Sequence, residues 1–337
     1  MSPCCKWFFE SIMARDNRID SIKGLLIILV IMGHVITSLN NTNLINHGVM
    51  GLIYIFHMPL FILISGYLTK NPEQQSQQNM WRGVWRIFVP MVIFHVISTT
   101  RVWYFEGNFL ETLTLKFPYG ILWYLISLIW WRIMLYYTPK ALLHRLALYL
   151  GIALAVSLFS GVIHLPPYLS LQRTLNFYIF FLMGYYYRQG HISNRLWKNN
   201  IVHIAVVVVL LPLIFWLFPR CGNIMNGADY YGIQGLPQKA MIIACSIAMS
   251  LLVFNLTRYN KLLSFIGMDS LFYYLYHQHI INYIYYSHVH YFSLPTTFPF
   301  VVLYTALILG LLLLLHKVKF FRWLVHPTLK RKEQASN

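Results

Sequence analysis

Residues 18–34 read RIDSIKGLLIILVIMGH, and this stretch indicates both the surroundings of the chain and its candidate chemistry. The ten residues between Lys23 and His34 are all apolar or glycine, as expected of a helix that crosses a lipid bilayer. Eleven residues of α-helix make three turns plus about 20°, so Lys23 and His34 share one helix face, about 16 Å apart along the axis. The stretch therefore predicts a membrane helix that carries two polar side chains on one face.

The composition of the whole chain agrees with a membrane protein. Of the 337 residues 58 % are hydrophobic and only 10 % are charged, whereas a soluble domain has about 25 % charged residues. This composition excludes an ordinary soluble enzyme, a disordered chain, a coiled coil and a disulfide-built scaffold. The formal charge of +17 would suggest a nucleic-acid partner in a soluble protein, but here basic loops on the inner side of a membrane explain it better. The cysteine spacing predicts neither a metal site nor a disulfide.

Long apolar runs predict ten membrane-spanning helices, and their continuity argues against strands. The predicted spans are residues 22–39, 48–69, 87–105, 119–137, 142–163, 174–188, 201–219, 237–256, 270–291 and 297–316. With a cytoplasmic N-terminus, 21 of the 26 Lys and Arg residues fall on the inner side, which is the usual bias. We therefore predict a multi-pass, all-α protein of a bacterial inner membrane, with both termini in the cytoplasm.

The loops between these spans leave no room for a second folded domain, because none exceeds about 20 residues. We therefore expect a single integral-membrane domain over residues 1–337. Its cytoplasmic tails are predicted at about residues 1–21 and 317–337, and the second of these is strongly basic.

Ionisable side chains inside a span cost roughly 2.5–3.5 kcal/mol on insertion scales, so each is a candidate for function. The deep candidates in this chain are five histidines: His34, His57, His95, His277 and His279. For His95 and His279 we expect a packing role with one hydrogen bond. His34 differs because Lys23 shares its helix face and because Gly33 beside it admits a close neighbour or ligand.

A basic pair precedes the third predicted span. Arg82 and Arg86 lie four residues apart and hence on one helix face. Two guanidinium groups in this arrangement can bind phosphates through charge-assisted hydrogen bonds. Anchoring at the membrane surface explains the pair equally well, and Lys23 also has the alternative of an anchor at the end of a span.

These segments together resemble the membrane acyltransferase-3 family. The resemblance rests on Ile19-Asp20 followed by Lys23 and His34, and on residues 57–67, which read HMPLFILISGY. Three later segments also look like segments of the family, namely RIFVP at 86–90, LWYL at 122–125 and LFYYLYH at 271–277. The chain departs from the family pattern at two positions, since the family usually has Arg at the position of Lys23 and a basic residue at the position of Gly83.

The resemblance implies transfer of an acyl group, usually acetyl, from a cytoplasmic thioester such as acetyl-CoA to a hydroxyl group. The acceptor would be a carbohydrate, often a cell-envelope glycan, and acyl-CoA would be a co-substrate, with no permanently bound cofactor, no metal and no nucleic acid. A histidine suits a general base because its ordinary pKa of about 6.5 leaves much of it neutral at physiological pH. By this resemblance His34 is catalytic, Lys23, Arg82 and Arg86 bind the donor, and the supporting residues are Asp20, His57, Ser65, Trp123, Tyr124 and His277.

A transporter or flippase of a sugar or lipid-linked glycan is the alternative function. Such proteins commonly have deep carboxylates and paired interrupted helices, and this sequence shows neither. Direct transfer is favoured over an acyl-enzyme because no Ser or Cys stands beside a base, although the sequence leaves both open. It also leaves open the acyl group, the acceptor, the side of the membrane where the acceptor binds and the oligomeric state.

Overall fold

The computed structural model describes residues 16–39, 44–106, 120–163, 165, 168–192, 199–226, 231–291 and 293–327, and these residues contain helices and no strand. The helices are α1 (Asn17–Ser38), α2 (Leu44–Tyr67), α3 (Gln77–Glu106), α4 (Trp123–Tyr137), α5 (Leu146–Phe159), α6 (Leu171–Arg188), α7 (Asn200–Asn226), α8 (Leu236–Leu256), α9 (Lys261–Met268), α10 (Ser270–His290), α11 (Phe298–Lys317) and α12 (Lys319–Val325). Short helical turns at Pro72–Gln74, Gly120–Leu122, Lys140–Leu143, Tyr168–Ser170 and Ile233–Gly235 connect them.

Six helical segments in the described residues are long and apolar enough to cross a membrane. They are Asn17–Ser38, Leu44–Gln74, Gln77–Thr100, Gly120–Tyr137, Ile233–Leu256 and Phe298–Lys317. The segments Leu146–Phe159 and Asn200–Trp216 are apolar but shorter. The all-α, multi-pass prediction is thus confirmed in its coarse form, whereas the count of ten crossings and the cytoplasmic termini stay predictions.

Helices α1 and α2 lie at the centre of the bundle. Helix α1 packs against α2, α9, α10 and α11, and helix α2 also packs against α6, α7 and α8. The contact between α2 and α6 is a backbone contact at two glycines. A Cβ on Gly66 would lie 1.9 Å from the carbonyl oxygen of Phe181, and one on Gly184 would lie 1.8 Å from that of Leu63. Small residues allow such close approach between membrane helices.

The N-terminal half of α1 is fixed in the same way by the short helix α9. A Cβ on Gly24 would lie 2.0 Å from the carbonyl oxygen of Leu263, and one on Gly267 would lie 1.7 Å from that of Asp20. Just before these contacts, the Arg18 guanidinium donates to the Thr257 carbonyl oxygen at 3.0 Å, beyond the end of α8. The part of α1 that carries Lys23 is therefore packed closely against α9.

Candidate active site

The first part of the candidate site is a cavity of about 310 Å³ between α1, α2, α4, α6 and α10, which we call the inner cavity. Three of the predicted site residues, His34, His57 and Trp123, line it together. The remaining polar or aromatic side chains of its wall are Tyr54, Arg173, Phe177, Tyr274 and Gln278. The Arg173 guanidinium lies over the Trp123 ring, 5.1 Å from its centre.

Hydrogen bonds to the backbone fix the proton positions of two histidines, His57 in the wall of this cavity and His277 outside it. The Nδ1 atom of His57 lies 2.7 Å from the Ile53 carbonyl oxygen, and that of His277 lies 3.2 Å from the Tyr273 carbonyl oxygen. Because a carbonyl oxygen only accepts, each Nδ1 carries the proton and each Nε2 is an acceptor.

His277 lies directly behind His34. The two ring centres are 5.4 Å apart. His277 is fully buried, and its Nε2 has no hydrogen-bond partner among the described residues. His34 itself forms part of the cavity wall. The arrangement is therefore a ring open to the cavity with a second, buried ring behind it.

A second cavity, the neck, has a volume of about 180 Å³. It brings together the predicted residues Lys23, Ser65 and Tyr124. The Ser65 Oγ and Tyr124 OH atoms are 2.6 Å apart, and the Lys23 Nζ lies 2.7 Å from the Oδ1 atom of buried Asp20. The structure thus places Lys23 in the neck, with Asp20 as its counter-ion.

The third cavity, the mouth, has a volume of about 360 Å³ and holds the predicted basic pair, Arg82 and Arg86. Both side chains are exposed, and Lys70 and Arg132 also line this cavity. The mouth is therefore the most basic of the three cavities.

The three cavities adjoin one another in the order mouth, neck, inner cavity. The mouth and the neck share Leu68 and Arg132 as lining residues, and the neck and the inner cavity share Tyr274. At this second junction the Tyr274 ring contacts Phe61 and Tyr124, with ring centres 6.5 and 5.5 Å away. Most of the basic groups thus line the mouth at one end of the series, His34 and His57 lie beside Arg173 at the other, and packed aromatic rings separate the neck from the inner cavity.

Sequence reasoning missed two arginines of this site, Arg132 and Arg173. Both were considered only in the count of Lys and Arg residues on the inner and outer sides of the membrane. Arg132 falls inside the predicted span 119–137, so the rule for ionisable residues within spans would have selected it. Of the remaining histidines, His95 and His279 line none of the three cavities, and the His279 ring packs 5.7 Å from that of Phe94.

A family model described as an acyltransferase domain, of the acyltransferase-3 type, matches residues 16–317. The chain belongs to the acyltransferase-3 family. The resemblance found in the sequence is thereby confirmed, and every residue named above in the three cavities lies within the matched domain. Together with the apolar helices, membership of this family identifies a multi-pass membrane protein of acyltransferase type.

One curated relative of this acyltransferase-3 protein is Nodulation protein NolL of Sinorhizobium fredii, which is 45 % identical over 60 residues. The match covers 17 % of this chain and 16 % of NolL. The chain therefore aligns with a small part of that protein's length. No solved structure matches the chain.

Proposed function

We propose that this acyltransferase-3 protein moves an acyl group, in the first instance acetyl, from acyl-CoA to a hydroxyl group of a carbohydrate. The acceptor would be a cell-envelope glycan, and the membrane would be the inner membrane of a bacterium. The observation that carries this proposal is the series of three cavities, with arginines at one end and a cavity-facing histidine at the other. Membership of the family supports acyl transfer in general.

The donor side follows from the charge of the mouth. Coenzyme A carries several phosphate charges, and guanidinium groups bind phosphates through paired, charge-assisted hydrogen bonds. The excess of Lys and Arg in the predicted inner loops supports a mouth at the cytoplasmic face, where coenzyme A is found. The uncharged pantetheine arm would then lie in the neck and present the thioester to the inner cavity.

The chemistry assigned to the inner cavity is general-base catalysis by His34. The hydroxyl oxygen of the acceptor attacks the thioester carbonyl carbon while the imidazole nitrogen of His34 takes the hydroxyl proton. The tetrahedral adduct then collapses, the carbon–sulfur bond breaks, and coenzyme A leaves with the proton that His34 returns to its sulfur. A volume of about 310 Å³ is at the small end of ligand pockets and suits a sugar-sized group.

A transfer assay tests this function. The purified protein in lipid vesicles is supplied with acetyl-CoA and glycan from cells that lack it, and the expected product is heavier by one acetyl group. His34→Gln should lower the rate roughly 10²- to 10⁴-fold, because an amide cannot accept the proton, while acetyl-CoA binding persists. His95→Gln is the matched control, since His95 lines none of the cavities, and it should retain its activity.

Two results would contradict the proposal. Passage of labelled glycan across the vesicle membrane without acylation would identify a transporter instead. Normal turnover by His34→Gln together with an inactive His57→Gln would assign the base to the other histidine of the cavity wall.

A further inference from the structure

We propose that Arg132 binds the phosphate of the donor that lies next to its pantetheine arm. The inference rests on the proposed function, because it assigns one part of coenzyme A to one residue of the donor site. Arg82 and Arg86 would bind the phosphates farther out.

The position of Arg132 distinguishes it from the other two arginines. It is the only basic side chain that lines both the mouth and the neck among the described residues. Arg82 and Arg86 line the mouth and are exposed, whereas Arg132 is partly buried on α4. It therefore stands where the mouth narrows into the neck.

The hydrogen-bond donors of the Arg132 guanidinium are only partly used within the described residues. Its Nη1 atom lies 3.3 Å from the Gly83 carbonyl oxygen, which is long for a bond of this type. Its Nε atom is buried and has no hydrogen-bond partner within the described part of the chain. No carboxylate forms an ion pair with it in that part either. A buried charge without a counter-ion is costly, and a bound phosphate would supply one.

Gly83 on the opposite wall leaves room for this guanidinium. A Cβ at this position would already touch the Arg132 Nη1, at 3.5 Å. A longer side chain that extended in this direction would compete with the guanidinium for the same space. Helix α3 thus contributes a backbone carbonyl at this point, and helix α4 contributes the charge.

The walls beyond Arg132 fit the uncharged part of the donor. Apart from Arg132, the neck is lined largely by apolar side chains, among them Phe61, Ile64, Leu125 and Leu128, and its other cation, Lys23, is paired with Asp20. Phosphates are unfavourable among such side chains, whereas a pantetheine arm is mostly uncharged. Arg132 therefore marks the position at which the charged part of the donor ends, and the phosphate nearest the arm is the one within its reach.

Three ligands test this assignment on the full-length protein in detergent: acetyl-CoA, S-acetyl-4′-phosphopantetheine and S-acetylpantetheine. Arg132→Gln should raise the dissociation constants of the first two about ten- to a hundredfold and leave that of the third unchanged. Arg86→Gln should weaken acetyl-CoA alone. A second variant moves the guanidinium to the other wall: Gly83→Arg combined with Arg132→Ala should regain most of the affinity that Arg132→Ala loses.

The outcomes separate this inference from the function on which it rests. Unchanged binding of acetyl-CoA by Arg132→Gln would overturn the assignment of Arg132 alone, and so would equal weakening of all three ligands, which would indicate a structural role. Wild-type protein that binds none of the three would overturn the proposed function and this inference with it.

Discussion

His57 in the wall of the inner cavity and His277 behind it are oriented by bonds to backbone carbonyls one turn earlier, and from this orientation we infer a positioning role for His277. Its Nδ1 is the donor, so its Nε2 is a buried acceptor next to the His34 ring. We expect an N–H group of His34 to donate to it in the working enzyme, and such a bond would turn the other nitrogen of His34 toward the cavity.

Matched substitutions at His277 test this positioning role. The amide of His277→Asn can keep the bond to the Tyr273 carbonyl but has no acceptor where Nε2 stood, whereas His277→Gln restores an acceptor there. We expect the asparagine variant to lower kcat roughly ten- to a hundredfold through misorientation of His34. The glutamine variant should retain most of the rate, and acetyl-CoA binding should be unchanged in both. Equal loss in both variants, with weaker donor binding, would indicate a purely structural histidine.

Helical periodicity alone predicted correctly that Lys23 and His34 face one side of α1, since both line the series of cavities. The spacing of three residues between Asp20 and Lys23 permits their ion pair, but the burial of Asp20 depends on α9 and could not be predicted. Arg132 lies within a predicted span and could have been selected on that ground. Its contact with Gly83, which is 49 residues distant in the chain, could not be predicted.

At the scale of helices, the long apolar runs predicted the long helices, whereas the sequence analysis did not predict the short ones. Helix α9 has eight residues and lies between two predicted spans, and helix α12 lies in the predicted basic tail. Neither contains an apolar run near 20 residues, which is the signal that identifies a span. The partners of each helix were also beyond prediction, because they depend on glycine contacts between segments remote in sequence.

The glycine contact between α2 and α6 gives a prediction at this scale. Gly66→Ala and Gly184→Ala each place a methyl group within 2 Å of a backbone oxygen that cannot move aside. Each should therefore lower stability by about 1–3 kcal/mol or more, seen as a lower melting temperature or as loss of the monodisperse peak in size-exclusion chromatography. Gly151→Ala and Gly310→Ala are the controls, since nothing lies within 4 Å of either added methyl group. Normal stability of both test variants would refute a backbone contact.

At the scale of the whole molecule, one carboxylate joins the segments on either side of α12, the last described helix, to the bundle. The Oδ2 and Oδ1 atoms of Asp269, between α9 and α10, lie 3.0 Å from the His316 Nε2 and 2.7 Å from the His326 Nε2. Burial opposes ionisation of Asp269, but its hydrogen bonds to His326 and His316 outweigh burial, so the pKa of the carboxyl is lowered. The bond to Asp269 raises the pKa of His326 although burial opposes this.

These two shifts give the fold a pH dependence with a definite sign. The contribution of His326 to the free energy of unfolding is complete below its unfolded pKa of about 6.5. It is lost as pH rises through the raised pKa of the folded protein. The contribution of Asp269 to the free energy of unfolding is present above its unfolded pKa of about 3.8. It is lost as pH falls through the lowered pKa of the folded protein. Near pH 5–6, His326→Ala should melt about 1–3 °C below wild type in detergent, and the difference should vanish at alkaline pH. His144→Ala, which removes an exposed pair with Glu73, should change the melting curve little.

The aromatic junction between the neck and the inner cavity has a consequence for the cell that contains this protein. If the cavities lie end to end across the bilayer, as the proposed function implies, they bring two aqueous compartments close together, and an open connection would dissipate the proton-motive force. The contacting rings of Phe61, Tyr124 and Tyr274, with Tyr124 bonded to Ser65, lie at the junction between the neck and the inner cavity. Under the proposed function the same rings would act as electrical insulation between the two compartments while the acyl group passes them.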